Sequence, residues 1–329
     1  MKTKNSSAEN FSFTFSDSHW KKDNARAGEI KLSETLRFGN DTAECAYIIL
    51  GISEDIGPQM NNGLPGAKNG FHTFLTAFQN IQSNRFLMGN EIGILGEIMQ
   101  NKEFEDHITN ENWIEELDDF VFNVLKENAS REQTIIVIGG GHNNAYPLLK
   151  YAKSNSVNKI HALNIDPHAD CRKTDFRHSG NPFSYAIEED LVQKYSIIGL
   201  HQSYNSEYIY NFINNHSVDI SYFEDYIDNP DRFWNNLNSF SGNLDTKNTY
   251  TLDLDLDAIT NVASSAFTPS GFSVEECRRI IRHLSSKIKF KHFHLPEGSP
   301  ISEEEHKKYG KLISYFVADF IKNQKNLNK

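Results

Sequence analysis

Short unbroken apolar runs recur along the chain, and stretches of helical length separate them. The runs are AYIILGI (46–52), TIIVIGG (134–140), KIHALNID (159–166), YSIIGLH (195–201), VDISYF (218–223), TYTLDLDLD (249–257) and KHFHL (291–295). Runs of this length, rich in Val, Ile and Leu, fit strands buried on both faces, which are the strands of parallel sheets. The intervening pattern predicts helices near 66–82, 112–127, 144–154, 229–239, 273–287 and 302–324. Strand and helix in alternation predict an α/β fold: a single-domain, doubly wound, mostly parallel sheet with helices on both faces. Residues 1–40 are polar and mixed and read as an irregular N-terminal arm, leaving 41–325 as the domain. The stretch NNLNSFSGNLDTKN (235–248) reads as a long loop between a helix and a strand. In the last helix Leu312, Phe316, Val317 and Phe320 share the face that packs on the core.

Charge narrows the partners. Lys plus Arg is 33 and Asp plus Glu is 44 in 329 residues, a net charge of −11. That balance argues against nucleic acid and anionic membrane. Cys45, Cys171 and Cys277 are far apart and form no C-x-x-C pair, which fits a reducing compartment. Cys171 reads as a small buried apolar residue. The N-terminus lacks an apolar secretory core, and no apolar run reaches the roughly 18 residues of a membrane span. The expectation is a soluble, cytoplasmic protein.

The chemistry lies where the strands end. In LNIDPHADCR, Asp166, His168 and Asp170 take every second position. VIGGGHNN places His142 after three glycines, TLDLDLDAI alternates Asp253, Asp255 and Asp257 along a strand, and HLPEGSP puts Glu297 after the last one. Alone, each has a bland reading: a turn histidine, a solvated strand face, a loop glutamate. Ligands of open α/β sheets collect at the carboxyl ends of strands, so all four groups converge on one edge. That many carboxylates in one place repel strongly unless cations join them. An oxygen-dominated donor set with one or two imidazoles suits manganese or a similar divalent ion, and six ligands suit two ions.

These motifs resemble the ureohydrolase superfamily of arginases, agmatinases and formimidoylglutamases. GGGHN and DPHAD are similar to its G-G-[GD]-H and D-x-H-x-D, DLDLDAI with FTPSG to its third metal strand and following loop, and GISEDIGPQMNNGLPGAKNG to its Asn/Gly-rich loop. The resemblance runs from about residue 46 to 300 and implies an arginase-like α/β/α catalytic domain, two Mn2+ and a homo-oligomer. It implies that His142, Asp166, Asp170 and Asp255 hold one ion, and Asp166, His168, Asp255 and Asp257 the other. Asp253 stands where the family often has a small hydroxyl residue and is set outside the ligands. Glu297 matches the acid that bonds the amidine, Asp170 is a candidate proton relay, and His178 a candidate shuttle.

Substrate is read from RHSGNPFSY. Where arginases and agmatinases carry S-H-G-x-P, Ser179 takes the histidine position, and formimidoylglutamases resemble this chain better. They also resemble it in having an arginine at the position of Arg172, which is expected to grip a substrate carboxylate, with Arg177, Ser179 and Asn181 completing the substrate site. A surface pairing of Arg172 with Asp175 is the rival reading. The resemblance therefore implies hydrolysis of N-formimidoyl-L-glutamate to L-glutamate and formamide, in histidine degradation, through a metal-bridging hydroxide. The alternatives are an agmatinase-type or guanidino-acid hydrolase releasing urea, and a metal-containing regulatory or binding homologue. Pro167, Thr260-Asn261 and Leu64 depart from the family pattern. His201, His292 and His294 read as structural histidines, with one of the last two a possible support for Glu297.

Overall fold

In the computed structural model, which describes residues 6–22, 25–102, 112–245 and 247–328, the apolar runs form seven adjacent strands of one eleven-stranded sheet, from its centre to one edge. The strands are Ser6–Ser7 (β1), Phe11–Phe15 (β2), Arg37–Phe38 (β3), Tyr47–Ser53 (β4), Ile92–Gln100 (β5), Thr134–Ile138 (β6), Ile160–Ile165 (β7), Lys194–Leu200 (β8), Asp219–Tyr222 (β9), Thr249–Leu254 (β10) and Phe290–Leu295 (β11). Their spatial order is β1-β2-β5-β4-β6-β11-β10-β7-β8-β9, with β3 beside β5. Every pair from β5 to β9 along that path is parallel, and β1 and β2 extend it antiparallel.

The helices are Leu32–Thr35 (α1), Ile56–Met60 (α2), Gly70–Gln79 (α3), Asn112–Asn128 (α4), Ala145–Ser154 (α5), Pro182–Glu188 (α6), Glu207–Asn215 (α7), Phe223–Asp228 (α8), Pro230–Gly242 (α9), Val274–Ser285 (α10) and Glu303–Gln324 (α11). Alternation along β4 shows both faces covered: Tyr47 and Ile49 join the core under α3, α10 and α11, while Ile48, Leu50 and Ile52 join the one under α4. A third cluster lies under α5, α6 and α7. Leu312, Phe316, Val317 and Phe320 of α11 are buried, as their spacing predicts, and so is Cys171. Among the described residues no helix is long and apolar enough to cross a membrane.

Three expectations need correction. The N-terminal arm is not irregular: FSFTF alternates with period two, Phe11 and Phe13 are buried, and β2 closes the sheet against β5. The stretch 235–248 is half helix, because α9 continues to Gly242 before the chain loops. The aspartate ladder is not one strand either. β10 ends at Leu254, and the Asp255 carboxylate accepts from the Asp257 N–H (2.8 Å), which folds the chain into a short 3-10 turn, Leu256–Ala258.

A histidine on β7 links this core to pH. His161 is buried, with Nε2 2.8 Å from Ser196 Oγ and its ring 5.1 Å from that of Tyr250. Burial, with a lesser push from Lys194, lowers it from the ordinary 6.5 to about 4. The folded state thus favours the neutral ring, so its contribution is full above about 6.5 and is lost as pH falls toward 4. His161→Gln, which keeps a polar group facing Ser196, should flatten the fall in denaturation midpoint between pH 6.5 and 4. An unchanged acid slope would place the loss elsewhere.

Candidate metal centre

β6, β11, β10 and β7 are consecutive neighbours in the sheet, so their carboxyl ends open side by side. β6 runs into Gly139 and Gly140, with φ of +86° and +71°, and then into the short turn His142–Asn144. A Cβ on Gly140 would lie 2.6 Å from Asn144 Nδ2 and 3.0 Å from Glu54 Oε1, so the turn needs glycine there. Glu54, buried just past β4, accepts from Gly141 N–H (2.8 Å), Asn144 Nδ2 (2.7 Å) and Ile56 N–H (2.8 Å). It ties the glycine turn to the first loop. Glu54 is not among the residues expected from the sequence, although an acid directly after a buried strand is the same signal that marked the other groups.

His142 is completely buried, with Nδ1 2.9 Å from Asp170 Oδ2, 2.9 Å from Asp255 Oδ2 and 3.3 Å from Asp166 Oδ2. Ligand atoms of these four residues all lie within 4.8 Å of one another. Asp166 turns its other oxygen the opposite way: Oδ1 is 3.5 Å from His168 Nδ1, which is 3.8 Å from Asp257 Oδ2. One carboxylate thereby faces two adjacent groups. Asp170 holds a left-handed backbone (φ +49°), as does Glu297 (φ +67°), and residues held in such conformations concentrate at functional sites.

The electrostatics call for positive charge. Burial raises the carboxyls of Asp170 and Asp255, and neighbouring aspartates push both further; burial also raises Asp257. Burial works against charge on the imidazoles too. Even so, the surrounding carboxylates pull His142 upward and His168 to about 10. The donor set is oxygen-rich, buried and short of cations, which fits a divalent metal site.

Glu297 borders this group from the end of β11. Its Oε1 accepts from the His142 N–H (2.6 Å), its Oε2 is buried without a partner, and burial followed by the Asp257 charge lifts it to about 8. A cavity of about 230 Å³ joins Asp170, Asp255, Glu297, Arg172 and Ser179, and Arg172 also lines an outer cavity of about 390 Å³ with Lys173 and His178. Tyr204, half exposed, roofs the cavity and stacks on His168 and His201 (5.6 and 5.0 Å between rings). His201 thus supports the wall from behind.

Other expected substrate groups lie elsewhere. Arg177 is buried, bonded to Asp118 (2.9 and 3.2 Å) and to the Asn143 carbonyl (3.2 Å), with Tyr146 and Tyr185 on its guanidinium. Its charge is satisfied by Asp118, which corrects the substrate role expected of it. Asn181 is also buried and organises its own loop: its amide donates to Lys173 O and Phe176 O, and its oxygen accepts from His178 N–H. His178 accepts the Gly180 N–H on Nδ1, and burial, then Arg172, lowers it to about 4. It lines the outer cavity beside Arg172. Ser179 lines the cavity, where Oγ accepts from Asn61 Nδ2 (3.3 Å). His294 pairs with Asp253 (2.9 Å) in place of Glu297.

The chain resembles known proteins along most of its length. It is 26% identical over 261 residues to a formimidoylglutamase from Macrococcus caseolyticus, covering 77% of each chain. Its fold matches the crystal structure of formimidoylglutamase from Bacillus subtilis with a TM-score of 0.75 at 14% identity, covering 92% of this chain and 95% of that one. It also matches the Trypanosoma cruzi formiminoglutamase solved with Mn2+, with a TM-score of 0.70 at 20% identity, over 89% and 98%. The model of the arginase family matches residues 46–321, which takes in all four strand exits described above. The chain belongs to the arginase family.

Proposed function

We propose that the chain is a binuclear manganese hydrolase of N-formimidoyl-L-glutamate, releasing L-glutamate and formamide. The observation that carries this reading is one cavity lined by the acidic cluster, by Glu297 and by the guanidinium-bearing Arg172. The formimidoylglutamase relatives and the manganese in the Trypanosoma cruzi structure support it. His142, Asp166, Asp170 and Asp255 would hold one ion, and Asp166, His168, Asp255 and Asp257 the other. When bound, such a pair supplies Lewis acidity and brings the pKa of water near neutral.

The chain's own groups bind and orient the substrate. The unpartnered Oε2 of Glu297 accepts from the amidinium N–H, and the cation supplies the counter-charge that this buried acid lacks. Arg172 takes a glutamate carboxylate on its forked guanidinium, and Lys173, further out along the same wall, faces the second. Asp170, which borders the cavity, would pass a proton to the departing amine.

Arg172→Met tests the substrate assignment. With manganese-loaded enzyme, KM for N-formimidoylglutamate should rise roughly 10- to 100-fold, the worth of a charge-assisted hydrogen bond, with kcat within a few-fold of the parent. An unchanged KM would mean that Arg172 does not touch the substrate.

A further inference from the structure

Asp253 belongs to neither of the two proposed ligand sets; it is completely buried behind one of them, and ligand atoms of Asp253, His142 and His294 also lie within 4.8 Å of one another. It lies near the end of β10, in register with His294 on β11, and its Oδ1 accepts from His294 Nδ1 at 2.9 Å. The same oxygen is 3.7 Å from His142 Nε2, and Oδ2 is 3.7 Å from His292 Nε2. Three buried imidazoles thus surround one carboxylate. His142 Nε2 and Asp253 Oδ2 are both sealed from solvent without a hydrogen-bond partner, and an unpaired buried polar group is costly.

The two nitrogens of His142 have different surroundings. Nδ1 faces Asp166, Asp170 and Asp255, where the metal reading places an ion, and Nε2 faces Asp253. A neutral imidazole offers a lone pair on Nδ1 only when its proton is on Nε2, and a carboxylate behind Nε2 selects that tautomer and makes the ring a stronger donor. We propose that Asp253, anchored by His294, is a positioning residue whose negative charge, 3.7 Å behind Nε2, favours the tautomer of His142 protonated there and so presents Nδ1 to the metal. The inference rests on the manganese reading above. His294 fixes the carboxylate by the short bond, and His292 flanks its other oxygen. No group on the substrate side of the sheet edge is needed for this role.

The test is calorimetric titration of the metal-free full-length chain with Mn2+. The parent should take two ions. Asp253→Asn should still take two, with affinity at one of them lowered about 10- to 100-fold, as loss of an outer partner of a metal-bound histidine typically costs. His294→Gln, which frees the carboxylate without removing it, should give a smaller loss in the same direction. Affinities equal to the parent's in both variants overturn the inference and leave the proposed function intact. Three ions in the parent and two in Asp253→Asn overturn it differently, making Asp253 itself a ligand. No manganese bound by the parent overturns the functional reading as well. Should Asp253→Asn fail to fold, His294→Gln decides by the same titration: lowered affinity at one ion supports the role, and affinity equal to the parent's overturns it.

Discussion

Asp255→Asn should lower turnover of the manganese-loaded enzyme by at least ~10³-fold, while its metal-free form melts no lower than the metal-free parent. The first half follows from position. Asp255 Oδ2 is 2.9 Å from His142 Nδ1, at the centre of the group proposed to hold the first ion, and it is one of two carboxylates assigned to both ions. Losing several kcal/mol of charge stabilisation in the transition state corresponds to about that factor. The second half follows from the electrostatics of the empty cluster. Burial and the charges of Asp257 and Asp166 already hold the Asp255 carboxyl well above its usual range, so without metal the ionised group opposes folding. The amide keeps an acceptor for the Asp257 N–H, which bonds Oδ1 at 2.8 Å, and removes the charge. Turnover near the parent's, or a metal-free midpoint several degrees lower, would contradict this account. Assays with added manganese and melts in chelator distinguish the two halves.

Asp118→Ala should cost about 3–5 kcal/mol of unfolding free energy, the penalty for leaving a buried charge without its partner. Asp118 on α4 is the counter-ion of Arg177, and both are almost fully buried. Burial pushes Asp118 up to about 6 even with the guanidinium against it, so desolvation outweighs attraction and the pair itself adds little net stability. Breaking it is another matter, because Arg177 would keep its charge among Tyr146, Tyr185 and the Asn143 carbonyl. Replacing both partners, Asp118→Leu with Arg177→Met, should therefore recover most of the loss. Urea denaturation of the single and double variants checks this, and a loss under about 1 kcal/mol for Asp118→Ala would contradict it. Since Asn143 adjoins His142, the single variant should also bind manganese more weakly.

The residues proposed to carry the chemistry stood out because acids and histidines are out of place at the ends of buried strands. Asp166, His168, Asp170, Asp255, Asp257, His142 and Glu297 all stand at such exits, and parallel strands bring their exits to one edge. The sheet margin was harder to read. β2 lies within a polar arm, and β5, IGILGEIMQ, is broken by two glycines and a glutamate. Arg172 and Arg177 are five positions apart in one loop and have the same charge. What separates them is a partner on a distant helix, 59 residues upstream of Arg177, and two tyrosines that no local pattern reveals. Asp253 likewise followed the alternation of its neighbours. Only the pairing of β10 with β11 showed that it faces His294 and the back of His142.

Product identification from N-formimidoyl-L-glutamate and the manganese-loaded protein, by NMR of substrate labelled with 13C at the formimidoyl carbon, decides the proposed activity. Labelled formamide and glutamate should appear in equal amounts, at a rate that disappears with chelator and returns with manganese. Unchanged substrate, together with urea released from agmatine or guanidinobutyrate in a parallel reaction, would contradict it.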